Sequence, residues 1–66
     1  MNINSKSKLK ILYRKLRALQ EDAKDFRDAQ TDPSAKTFAG GILDDLSDLD
    51  NRIFSTARDN GLNLNA

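Results

Sequence analysis

Two apolar stripes separated by an Asp-Pro break constrain this chain more than anything else in its sequence. Leu9, Leu12, Leu16, Leu19, Ala23 and Phe26 follow one another at intervals of three, four, three, four and three residues. That alternation lines one face of an α-helix and does not suit a strand, whose faces alternate every second residue. The first helix is expected over about residues 5–30, with Asn4 or Ser5 accepting a bond from a free backbone N–H at its start. Thr31-Asp32-Pro33-Ser34 then breaks and restarts the chain. Asp32 is a good N-cap, and Pro33 suits the first helical position, where no N–H is needed.

A second stripe, Ala39, Ile42, Leu46, Leu49, Ile53 and Ala57, with Leu43 and Phe54 beside it, places a second helix over about residues 33–60. Asn60-Gly61 is a strong stop, because glycine takes the left-handed conformation that closes a helix. Leu62 is placed to fold back onto Ala57, and residues 62–66 are expected to fray. Gly40-Gly41 costs about 1 kcal/mol per glycine relative to alanine inside a helix. The pair marks a kink, a close approach of two backbones, or a second helix that starts only after Gly41.

Two helices joined by a short turn form an antiparallel hairpin, so the fold class is all-α with a single domain over residues 1–66. A chain of 66 residues rarely buries enough apolar surface alone and leans on disulfides, a metal or association. It contains no cysteine and no histidine, which removes disulfides, thiolate sites and the commonest neutral metal ligand. Association remains. Facing stripes would close the main seam and leave Ile11, Tyr13, Ala18, Leu43 and Phe54 on the flanks. Ile11, Ala18, Leu43 and Phe54 are therefore the expected interface of a homo-oligomeric helical bundle.

The charges are polarised along such a hairpin. The open end, residues 1–17 with 50–66, carries Lys6, Lys8, Lys10, Arg14, Lys15, Arg17, Arg52 and Arg58 against Asp50 and Asp59, a net +6. The turn end, residues 18–49, sets Lys24, Arg27 and Lys36 against Glu21 and seven aspartates, a net −5 that returns the overall +1. Rods charged this way pair best head to tail. Alternatively, both ends are solvated surface.

Signals of catalysis are absent, and the chain is read as a non-enzyme without cofactor or metal. None of its five serines has a histidine to activate it or a glycine-rich elbow around it. Gly40-Gly41 lacks the lysine and spacing of a phosphate loop. Asp44, Asp45 and Asp48 are hard-cation ligands in principle, yet acids in the N-terminal half of a helix are favoured by its dipole in any case. The likeliest ligand-facing feature is basic. Lys10, Arg14 and Arg17, spaced by four and three, share a helical face beside Tyr13, the only tyrosine. A ring next to cations suits a ligand that carries both base and phosphate. Arginine's planar fork makes Arg14 and Arg17 the preferred phosphate contacts. The plainer reading is a solvated basic face, with Tyr13 covering the edge of the core.

Pro33 and Ser34 in the turn, then Lys36-Thr37, Ala39, Leu43-Asp44-Asp45 and Asn51, follow a recognisable order. This segment, about residues 33–54, resembles the helical-hairpin domain shared by phage anti-CBASS and anti-Thoeris sponge proteins. It departs from them at Leu49-Asp50, where that family often has aromatic and alanine residues, and in its N-terminal lead-in. The resemblance implies a homo-oligomer with pockets between protomers that sequester cyclic oligonucleotides or related immune signals without cleaving them. It adds Lys36 and Thr37 to the candidate ligand residues.

Three functions are thus open: such a sponge, an RNA-binding regulator, and a small protein-binding inhibitor or adaptor. The RNA reading rests on architecture, since a head-to-tail dimer of hairpins is similar to plasmid copy-number regulators of the Rop type, which bind paired RNA loops on one bundle face. The adaptor would offer its flank residues to a host protein. No apolar run approaches the roughly 18 residues of a membrane helix. The N-terminus lacks an uninterrupted signal-type apolar stretch, so a cytoplasmic location is expected, in the host cytoplasm if the chain is phage-encoded.

Overall fold

The computed structural model describes residues 1–64, two α-helices of 27 residues each: α1, Ile3–Ala29, and α2, Pro33–Asp59. They pack side by side as an antiparallel hairpin, a rod of 46 × 16 × 15 Å. Asn2 rather than Asn4 or Ser5 caps α1, its side chain accepting from the Ser5 N–H at 2.8 Å. The earlier start lets the Lys6 N–H bond the Asn2 carbonyl at 3.0 Å, adding a turn of ladder at no cost in packing. At the other end of α1, the Gln30 side-chain amide closes on the Phe26 carbonyl at 3.0 Å. Asp32 then caps α2 by accepting from the Ser34 N–H, with Pro33 in the first turn.

α2 runs unbroken through Gly40-Gly41. A Cβ built at either glycine would have nothing within 4 Å, so neither a kink nor a close approach within this chain requires them. Gly40→Ala and Gly41→Ala are each expected to stabilise the fold by about 0.5–1 kcal/mol, the helix-propensity difference alone. Chemical denaturation measures it, and a loss of stability would mean that another molecule packs there.

The C-terminus of α2 closes as a Schellman motif. Gly61 takes φ +68°, its N–H bonds the Arg58 carbonyl, and the Leu62 N–H bonds the Ala57 carbonyl at 2.8 Å. Residues 62–64 thereby turn back onto the helices instead of fraying, and Leu64 is only 9% exposed. The remainder of the expected frayed tail, residues 65 and 66, lies outside the described residues.

The core is small. Leu16, Ile53, Ala57 and Leu64 form its main cluster, with Leu9, Tyr13, Leu46 and Leu62 packed against it. Ala23 and Ala39 are buried nearer the turn. The inward face of α1 is therefore Leu9, Tyr13, Leu16, Gln20 and Ala23, at intervals of four, three, four and three. Leu12, Leu19 and Phe26, which the simple stripe would place in the seam, are 52%, 51% and 47% exposed. The reason lies across the seam. Gln20 donates from Nε2 to the Leu46 carbonyl at 3.4 Å and to Asp50 Oδ2 at 3.3 Å, and this polar rung holds α1 rotated toward Tyr13 and Gln20.

Candidate functional site

The rotation of α1 gives the hairpin two unlike flanks. On one, Leu19, Asp22, Ala23 and Phe26 line a shallow groove with Ile42 and Leu46 of α2. Leu12, seven residues before Leu19, and Leu49, seven after Ile42, extend that apolar flank along the rod. On the other flank, Arg17, Gln20, Lys24 and Arg27 face Leu43, Asp44, Ser47 and Asp50. Of the four expected interface residues, Leu43 lies on this polar flank. Ile11 and Ala18 are exposed and, from their helical phase, face away from the seam. Phe54 is exposed near the open end, beside the C-terminal turn. The structure does not bring the four together.

The basic cluster is brought together in part. Tyr13 is half-buried against the core, and the Arg17 guanidinium carbon lies 5.9 Å from its ring centroid, a cation–π contact. Arg17 also pairs with Asp50 at 3.3 Å, where the carboxylate is 17% exposed and the guanidinium 60%. This mostly solvated pair contributes about 1 kcal/mol at most. Tyr13 and Arg17 are thus tied into the hairpin itself. Asp50 and Gln20, the partners that tie them, could not be found from α1 alone, because Asp50 is 33 residues from Arg17.

The other cations divide clearly. Lys24 pairs with Glu21, Arg27 with Asp28 and Arg58 with Asp59. Among the described residues, Lys6, Lys8, Lys10, Arg14, Lys15, Lys36 and Arg52 form no ion pair. Five of these seven fall within the first four turns of α1. Lys6, Lys10 and Arg14 repeat every four residues, so they form a ridge of free positive charge along one side of that helix. Lys36 and Thr37 stand at the opposite end of the rod, in the first turn of α2. Both are exposed, and the Thr37 hydroxyl donates to the Pro33 carbonyl at 3.0 Å. At about 1.5 Å per residue, they lie some 20 Å or more from Arg14 within one chain.

Asp44, Asp45 and Asp48 do not converge. Among the described residues, no group of three or more acidic side chains is placed to hold a metal ion. No described helix is long and apolar enough to cross a membrane. Comparison with protein-family models, curated proteins and solved structures finds no match to this chain.

Proposed function

We propose that this chain is a non-catalytic binding protein that sequesters a phosphate-bearing ligand, of the cyclic-oligonucleotide class, on the cationic end of its rod. The observation that carries this reading is the ridge of free cations Lys6, Lys10 and Arg14. A cation already paired with a carboxylate must break that pair to bind a phosphate, whereas these need not. They are also fixed on a capped helix, so little further ordering is needed on binding. Arg14 supplies a planar fork and Lys10 a point charge. Tyr13 and Arg17 act from the side as a stiff wall more than as the primary contact. Lys36 and Thr37 join such a site only from a second chain lying head to tail, which agrees with pockets between protomers.

The test is calorimetric titration with cyclic di- and trinucleotides and ADP-ribose derivatives. Binding by the native chain is expected, and Arg14→Glu is expected to weaken it about tenfold or more, since a hydrogen bond to a charged group contributes about 1.5–3 kcal/mol. Helicity should be unchanged, because Arg14 is exposed and unpaired. No heat with any member of the panel removes the reading.

One observation favours a second reading, structured RNA. The free cations run along successive turns of a helix and do not ring an enclosed cavity, which suits a string of phosphates. Affinity for a stem-loop RNA that falls steeply and linearly on a logarithmic salt scale, with none for the cyclic nucleotides, would decide for it.

A further inference from the structure

We infer that a second copy of this chain docks on the flank of Leu12, Leu19, Phe26 and Leu49, about a two-fold axis that passes at the level of Leu19 and Leu49. The inference is independent of any ligand. It begins with surface. The chain exposes 4869 Å², whereas a folded monomer of 7.4 kDa exposes about 4200 Å². The surplus, about 650 Å², approaches the roughly 800 Å² that each partner buries in an interface of standard size. Of the nine exposed large apolar side chains among the described residues, four line this flank in register: Leu12, Leu19 and Phe26 of α1 with Leu49, 43% exposed, of α2.

The order of residues then selects the symmetry. Leu19 is the midpoint of Leu12 and Phe26. A two-fold axis at Leu19 places Leu19 on its own copy and Leu12 on the partner's Phe26, so the stripe is complementary to itself when reversed. The bordering charges reverse about the same level. Lys15 lies four residues before Leu19 and Asp22 three after it, so to within one residue each comes level with its opposite sign across the axis. On α2, Asp45 and Arg52, which border Leu49 on the surface, are related in the same way about the level of Leu49. The two centres coincide in space, because Gln20 of α1 reaches Leu46 and Asp50 of α2. Among the described residues, none of these four charges has an ion-pair partner within its own chain.

A parallel two-fold, along the rod, would instead set α1 against the partner's α2, bringing Lys15 level with Arg52 and Asp22 level with Asp45, an arrangement that like charges oppose. The head-to-tail dimer is an antiparallel four-helix bundle. In it the partner's Lys36 and Thr37 come level with Lys6 and Lys8, adding a cation to the end that already holds the most.

The chain has no cysteine, so single thiols report the geometry directly. With a short ethylene-bridged bismaleimide, Leu19→Cys should yield a covalent dimer at high efficiency. Leu12→Cys alone should not, but a mixture of Leu12→Cys with Phe26→Cys should give the mixed dimer. Self-linking of Leu12→Cys would overturn the proposal, as would preferential linking through Ile11→Cys or Phe54→Cys. Sedimentation equilibrium gives a second measure. The native chain and Ile11→Lys should both run as dimers, while Leu19→Lys, which sets two ammonium groups on the axis, should associate at least tenfold more weakly. A native chain that sediments as one protomer at high concentration, or a Leu19→Lys variant of undiminished mass, overturns it.

Discussion

Leu16→Ala is expected to destabilise the hairpin by about 3 kcal/mol, while Leu12→Ala, four residues away and chemically the same change, costs the isolated chain under about 1 kcal/mol. Leu16 is 4% exposed and sits at the centre of the cluster with Ile53, Ala57 and Leu64. Truncation there removes transfer free energy and leaves a cavity, and such changes cost about 2–5 kcal/mol. The loss is large for this molecule. Among the described residues, three of the six buried apolar ones are alanines and no large side chain is fully buried, so a stability of only a few kcal/mol is expected. Leu12 has half its surface in water before and after the change. If the proposed two-fold docking holds, its removal weakens association and leaves the intramolecular seam intact. Thermal melts followed by circular dichroism at several protein concentrations separate the two. The Leu16→Ala deficit should be the same at every dilution, and the Leu12→Ala deficit should grow with concentration, as the native chain gains stability from self-association. Equal deficits at high dilution would place Leu12 in the seam.

That contrast also shows how far the sequence could be read. The hairpin was legible because its punctuation is local: Asp32-Pro33 can start a helix and Asn60-Gly61 can end one on the chemistry of a few adjacent residues. The facing of α1 was not. Leu9, Leu16 and Ala23 belong to two overlapping three-four patterns, one continuing through Leu12 and Leu19, the other through Tyr13 and Gln20. Hydropathy favours the first and the fold uses the second. The choice is made by Gln20, Leu46 and Asp50 meeting across the seam, and a contact between residues 26 to 30 positions apart leaves no trace in the periodicity of either helix. The candidate site divides along the same line. Tyr13 and Arg17, one turn apart, were recognisable as neighbours. That Arg17 spends its charge on Asp50, leaving Lys6, Lys10 and Arg14 as the free ridge, depends on that same long-range register. For the same reason Ile11, Ala18, Leu43 and Phe54 do not share one face of the hairpin: once Tyr13 and Gln20 turn inward, Ile11 and Ala18 point away from the seam and Leu43 joins the polar flank.

Leu64→Ala is expected to cost about 2 kcal/mol and to loosen the end of the rod that carries the free cations. A leucine side chain taken from water into a core contributes about 1.5–3 kcal/mol, and Leu64 is 9% exposed against Leu16, Ile53 and Ala57. It is held there by the Gly61 turn and by the bond from Leu62 to Ala57. Its position has an electrostatic consequence. The open end gathers most of the positive charge of the chain, and like charges on neighbouring turns oppose the helical state by a few tenths of a kcal/mol per pair. The apolar hook formed by Leu62 and Leu64 offsets that repulsion where it is greatest. Amide hydrogen exchange is the direct measurement: in Leu64→Ala, protection should fall most in the first three turns of α1 and the last two of α2, and least around Ala23 and Ala39 near the turn. The ligand ridge would then be presented by a fraying helix, so affinity for a phosphate-bearing ligand should fall with it, although residue 64 carries no charge. Unchanged protection and stability would mean that residues 62–64 fray in solution after all, and that the basic end is held by Leu9, Leu16, Ile53 and Ala57 alone.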